Sequence, residues 1–320
     1  MQSISHHFRW PASVLAAIIC LAAGRAVRSA PPDFAQAPAD AVWVVHADFD
    51  ALHKSTVYRN FMATVLPRCK LLADHAAKIN EQLGMDLSKD LHGMTVFGPK
   101  LSQHKATLVM RADWDLQTFR RKLALAKDHA VSTSGGYEIH RFTRENHGQV
   151  RTLAGACWQP GTFVFAQTPD EVRSGLDVLD GHRPHIAGRG SPLAAEVPPG
   201  TVFLARMIEV GDSLPVESPL LKQTEQIELA CGENAGEFFF RGKLVAKDAA
   251  AAQQVKKVLD GFLAMARMQA STDADSLKLL DRLELRVEAR TVLLDFHVAA
   301  ADLAVQLEKM VEEYDRRNAK

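Results

Sequence analysis

A short stretch of this chain returns later in the same order and without a gap, and that echo limits the folds open to it. Leu108-Val109-Met110-Arg111 recurs as Leu244-Val245-Ala246-Lys247, an offset of 136 residues. At the same offset, Phe119-Arg120-Arg121-Lys122-Leu123 recurs as Val255-Lys256-Lys257-Val258-Leu259. An apolar run followed by a helix with two adjacent cations is used twice, which predicts two related α+β units. A repeat of this kind accounts for architecture and carries no chemistry of its own.

Both units open alike. Pro38-Ala39-Asp40-Ala41 precedes Val42-Trp43-Val44-Val45, and Pro198-Pro199-Gly200 precedes Thr201-Val202-Phe203-Leu204. A turn signal before a β-branched and aromatic run reads as a strand. Helical or irregular segments follow at 52–66 and 214–224, with an extra amphipathic stretch at 71–83 in the first unit. Strands are expected at 93–97 and 105–111, then at 226–230 and 237–247. Asp115 and Asp248 are suited to cap the repeated helix, because a short carboxylate accepts from the free N–H groups of a first turn. In the second copy Val255, Val258, Leu259, Phe262 and Met265 recur at helical spacing. Strands return at 137–142, 150–158 and 162–167 in one unit and at 282–290 and 291–298 in the other. Each unit closes on a helix, the last carrying the apolar stripe Leu303, Leu307, Met310, Val311 and Tyr314.

The expected order is therefore β-α-β-β-α-β-β-α, twice. Short turns between consecutive strands favour antiparallel sheets with helices on one face, an α+β class. The expected divisions are a leader at 1–30, a linker at 31–37, a first unit at 38–180, a Gly/Pro-rich seam at 181–200 and a second unit at 201–320.

The leader carries the functional signal. Residues 1–10 hold Arg9 and no acid, Ala12 to Ala23 is an apolar stretch of twelve residues, and small residues follow to Ala30. That order is a secretory signal peptide, with cleavage expected between Ala26 and Ala30 and an extracytoplasmic destination, periplasmic or secreted. Twelve helical residues span about 18 Å, short of the ~30 Å hydrocarbon core. Cys20 follows Ile19 rather than a small residue, which argues against lipidation. Beyond the leader no stretch reads as an integral membrane segment. Without the leader the chain has 35 basic and 38 acidic residues, a balance that argues against nucleic acid as a partner. Cys69, Cys157 and Cys231 remain, an odd number with no CxxC spacing, which indicates neither a disulfide framework nor zinc.

His46, Asp48 and Asp50 lie at alternate positions, and an extended backbone would project all three from one face. An imidazole and two carboxylates suit a divalent metal, with His53 nearby. The competing reading makes Asp50 the cap of the following helix. The second unit places Ala205, Met207 and Glu209 opposite the triplet, so the fold does not require it. His182 and His185 flank Arg183-Pro184 in the seam, where loop imidazoles ordinarily face water. No serine sits in a GxSxG elbow, Gly188-Arg189-Gly190 lacks a third glycine, and HExxH is absent.

The Pro-Ala-Asp-Ala opening, the apolar run to Val45 and Asp48-Phe49-Asp50-Ala51-Leu52 resemble the start of large sets of secreted bacterial proteins of unknown function. The resemblance implies tandem α+β repeats behind a signal peptide and supplies no catalytic residues. The expected function is non-enzymatic binding or scaffolding outside the cytoplasm, with no cofactor and a protein or small apolar ligand as partner. Two alternatives stand beside it: a metal-dependent hydrolase using His46, Asp48 and Asp50, and a carrier of lipid or another apolar ligand.

Overall fold

A computed structural model describes residues 31–67, 70–101, 105–146, 149–213 and 219–318. The leader with Cys20, and Cys69, lie outside these residues. In chain order the elements begin with β1 (Trp43–Asp48), α1 (Phe49–Lys54), α2 (Thr56–Asn60) and a π-helical turn (Phe61–Val65). Then come α3 (Lys70–Leu83), α4 (Leu87–Asp90), β2 (Leu91–Gly98), β3 (Thr107–Ala112) and α5 (Leu116–Ala124). Four strands follow, β4 (Lys127–Ser134), β5 (Tyr137–Asn146), β6 (Gln149–Gln159) and β7 (Thr162–Ala166), and α6 (Pro169–Leu179) closes the front half. The back half has β8 (Thr201–Ile208), α7 (Val210–Ser213), α8 (Pro219–Lys222), β9 (Thr224–Asn234) and β10 (Glu237–Ala246). It ends with α9 (Ala249–Gln269), α10 (Ala274–Leu280), β11 (Leu283–Glu288), β12 (Thr291–Ala299) and α11 (Ala300–Asn318).

All strands join one twelve-stranded sheet in the order β11-β12-β10-β9-β8-β1-β2-β3-β7-β6-β5-β4. Every neighbouring pair is antiparallel. The halves meet where β1 pairs with β8, Val45 opposite Ala205 and Trp43 opposite Met207. Mixed helix and antiparallel sheet place the chain in the α+β class.

Two expectations are corrected. The front half does not carry its helices on one face. Val44, Phe97, Val109 and Val164 pack on one side under Val172 and Leu176 of α6. Ala47, Met110 and Phe163 pack on the other with Trp114, Phe119 and Leu123 around α5. The reason is composition: β3 and β7 are apolar at successive positions, so both faces need cover. The front half also places four strands, rather than the three expected at 137–142, 150–158 and 162–167, between its last two helices. The additional strand, β4, is polar and largely exposed, so it offers no buried face for a hydrophobic pattern to reveal.

The back half keeps its helices on one face. Leu244, Val292 and Leu285 lie beneath Ala251, Ala252, Val255 and Leu259 of α9. Both expected caps are made. Asp115 accepts from the amide of Thr118 at 2.7 Å and Asp248 from that of Ala251 at 2.8 Å.

The stretch between the halves is tied down rather than loose. Ile186 donates to the carbonyl of Ala37 and Ala39 to that of Pro184. Arg206, 3% exposed, meets Glu228 through Nε at 3.0 Å and donates to the carbonyls of Leu193, Ala195 and Glu196. Three backbone acceptors and one carboxylate account for the buried guanidinium, as burial demands. The halves are also clasped from the other side. Glu233 of β9 accepts from the amides of Thr56 and Val57 at the head of α2, and α11 packs on α2 and the π-helical turn.

Candidate functional site

The expected triplet is divided by the end of a strand. β1 stops at Asp48, whose carboxylate accepts from the amide of Ala51 at 2.8 Å and caps α1. Asp50 therefore sits in the first turn of that helix instead of extending the strand. The cap is Asp48, one alternate position earlier than the sequence indicates. His46 projects from β1 onto β2, its Nδ1 3.0 Å from the Thr95 hydroxyl. All three are buried, at 3%, 2% and 1% exposure. Among the described residues, no three or more His, Cys, Asp or Glu side chains are grouped to hold a metal ion.

Asp50 instead finds a partner 42 residues away. Its Oδ1 lies 2.9 Å from Nδ1 of His92 on β2, while Nε2 of the same ring lies 3.3 Å from Asp113 after β3. Asp113 is exposed and Asp50 is not, so the imidazole links a buried carboxylate to a wet one. Burial pushes the Asp50 carboxyl up from its ordinary range, and contact with His92 opposes this only in part. For His92 burial works against the charged ring, yet Asp50 and Asp113 together raise it. With both nitrogens on carboxylates, the ring has no free nitrogen with which to activate a nucleophile. Oδ2 of Asp50 is buried without a hydrogen bond, the one loose polar atom of the cluster. Spacing could not reveal His92 and Asp113, since only strand pairing brings them to Asp50.

The His53 ring lies beside that of Tyr58, centroids 5.9 Å apart and planes tilted by 33°. His182 is exposed and its amide donates to the carbonyl of Asp177. His185 is half-buried, its backbone bridging Pro38. The seam histidines thus serve the ends of their loop. Cys157 and Cys231 are free thiols, the latter pushed up to about 11 by burial, which leaves it inert at neutral pH.

A second feature lies where the halves join. On the face that carries α5 and α9, Val45 opposes Val96 on one side and Ala205 on the other. Ala205 opposes Leu229, and Met207 opposes Ile227. These residues are half-buried, Leu229 is 37% exposed, and none belongs to the buried clusters on either side. The strip is apolar floor between two helix-covered ends. Beside it α9 turns out Val258, Phe262 and Met265, at 42%, 58% and 49% exposure. At 100° per residue this flank is opposite Arg267, which reaches Asp281 of the neighbouring segment. On the other face, a cleft of about 70 Å³ has Leu193, Arg206, Glu228 and Lys243 in its walls, but Arg206 and Glu228 are committed to each other.

No protein-family description and no curated protein matches the chain. Solved structures of TP0453 are similar in outline. Crystal form III is 9% identical, covers 88% of this chain and 99% of its own, and has a TM-score of 0.46. Form IV is 10% identical over 88% and 97%, with a TM-score of 0.43. Likenesses this remote assign no function.

Proposed function

We propose that this chain is a non-enzymatic binding protein, built of two related α+β units, exported from the cytoplasm and binding an apolar ligand or surface where the units meet. The observation that carries this reading is the seam strip, Val45, Ala205, Met207, Ile227 and Leu229, apolar yet outside every buried cluster. Monomers seldom leave contiguous apolar surface without use. The acid–imidazole cluster, by contrast, spends its bonds inside the fold.

Three features support the repeat. Outward from the β1/β8 pair, the strands run β1, β2, β3, β7, β6 in one direction and β8, β9, β10, β12, β11 in the other. The echoed Leu-Val segments fall in β3 and β10, and a capped helix follows each. Export rests on the leader, and a protein recovered outside the cytoplasm should begin between residues 27 and 31.

The test is binding of an apolar fluorescent probe, anilinonaphthalene sulfonate, to the native protein. Met207→Arg combined with Leu229→Glu should weaken it about tenfold or more, equivalent to about 1.4 kcal/mol. Unchanged binding with an intact circular dichroism spectrum rejects the strip.

A metal-dependent hydrolase is the second reading, favoured by the unbonded Oδ2 of Asp50. Stoichiometric divalent metal in untagged protein, lost in Asp50→Asn, would establish it. Metal-free protein whose melting is unmoved by zinc or magnesium would end it.

A further inference from the structure

The sheet is finished differently at its two ends. β11 sets exposed Glu284, Arg286 and Glu288 between half-buried apolar residues, and Arg286 pairs with Glu288 at 3.1 Å and Asp295 at 2.9 Å. Charge on every outward position guards an edge against unwanted strands. β4, at the other end, has no charge from Ala130 to Ser134, and Ala130, Val131, Ser132 and Thr133 are all exposed. Val131 alone is 52% exposed. A β-bulge between Lys127 and Ala130, with Asp128 at φ 55°, ends the irregular part and leaves 130–134 in regular register with β5. In the back half the sheet stops at β11; in the front it runs past β6 by the hairpin β5–β4. A strand that buries so little gains little from the core, and its outer N–H and C=O groups are a ready template.

The geometry points to β4 as a self-association edge, pairing antiparallel with β4 of a second copy about a two-fold axis through Val131. In this register Val131 opposes Val131, Ala130 opposes Ser132, His129 opposes Thr133 and Asp128 opposes Ser134. Cross-strand apolar and hydroxyl pairs of this kind stabilise a ladder. The ends are complementary in charge. The Ser134 hydroxyl accepts from Nη1 of Arg173 at 2.6 Å, and that guanidinium packs against Gly135. Arg173 already meets Asp177 through Nε at 2.8 Å, so the carboxylate of Asp128 from the second copy would join that pair as a second acceptor on the guanidinium, and symmetry repeats the contact. An isologous interface is closed, so it yields a dimer rather than a fibre. At most seven residues a side, 128–134, with the bulge at 128–129 among them, make it small, hence weak and concentration-dependent. This inference is independent of the seam strip, which lies at the centre of the sheet.

Sedimentation velocity on the purified protein, from low micromolar to several hundred micromolar, tests it together with amide hydrogen exchange. A reversible monomer–dimer equilibrium is expected, with amides of 130–134 exchanging more slowly at high concentration and those of β11 unchanged. Val131→Lys puts like charges on the axis and should raise the dissociation constant about tenfold or more, with Asp128→Arg acting in the same direction. Both sites are at the surface, so circular dichroism and melting should match the parent. A protein that stays monomeric throughout overturns the proposal. So does a dimer indifferent to both substitutions, or one whose exchange protection falls on β11.

Discussion

In the front half, β7 buries Phe163 on one side and Val164 and Ala166 on the other. In the back half, β11 sets half-buried Leu283, Leu285 and Val287 against exposed Glu284, Arg286 and Glu288. One hydrogen-bonded sheet thus has a dry stretch at β3 and β7, covered on both faces, and at β11 an end that is wet on one. The wet face is populated by ion pairs such as Arg241 with Asp295, 3.6 Å apart and partly exposed, which screening makes worth little. Stability is therefore concentrated in the dry stretch, and the wet end is free to present surface. The strip lies at the border between these regimes.

The largest expected effect falls on the dry stretch. Phe163 is fully buried and packs on Phe119 and Trp114 at centroid separations of 5.0 and 5.2 Å. Phe163→Ala should cost about 3–5 kcal/mol in urea unfolding. Leu285→Ala on half-buried β11 should cost no more than about 2 kcal/mol, the low end of the range for aliphatic truncation. Equal losses would erase the contrast between the two regions.

Arg206 comes next. It fastens the inter-half segment to the sheet, and Arg206→Met leaves Glu228 and three carbonyls without their buried donor. A loss of about 3 kcal/mol is expected, read as a lower urea midpoint. A stability unchanged within error would mean that water replaces the guanidinium and the segment is not held by it.

A pH series sharpens the comparison from the site's side. Asp50 is raised from 3.8 and His92 from 6.5, so the folded protein holds protons that the unfolded chain gives up. Stability linked to Asp50 is present at acid pH and lost as pH climbs from 3.8 through its folded value. Stability linked to His92 is complete below 6.5 and lost as pH rises through its folded value. Both act in the same direction, so unfolding free energy should fall from mildly acid to mildly alkaline pH. His92→Gln should flatten the upper part of that slope. An unaltered slope would exclude the ring as its source.

What the sequence made legible follows from burial. Helical spacing located α9 through Val255 and Leu259, which pack on the sheet, although Val258, Phe262 and Met265 of the same stripe remain outside. Asp115 and Asp248 were readable as caps because capping is local, confined to a single turn. β4 was not readable because an exposed strand has no hydrophobic face to repeat. His92 was not readable because its partner Asp50 is 42 residues distant and only β1–β2 pairing unites them. The triplet at 46, 48 and 50 suggested a shared face only while the backbone was taken as extended; the cap at Asp48 turned it.

The smallest effect expected concerns the clasp between the halves. Glu233, at the end of β9, accepts from the amide of Thr56 at 2.6 Å and that of Val57 at 3.3 Å. It supplies from one half the cap that the other half's α2 needs, beside Ser55, which bonds Tyr58. Glu233→Gln keeps an acceptor and removes the charge, so it should cost a few tenths of a kcal/mol, whereas Glu233→Ala should cost about 1 kcal/mol. Hydrogen exchange gives the sharper readout, because the amides of Thr56 and Val57 should lose protection while those of the capped helix α9 do not. Faster exchange confined to α2 and the adjoining turn would show that the halves are coupled through this contact. Exchange spreading into β1 and β8 would instead mean that the joint of the sheet itself depends on it.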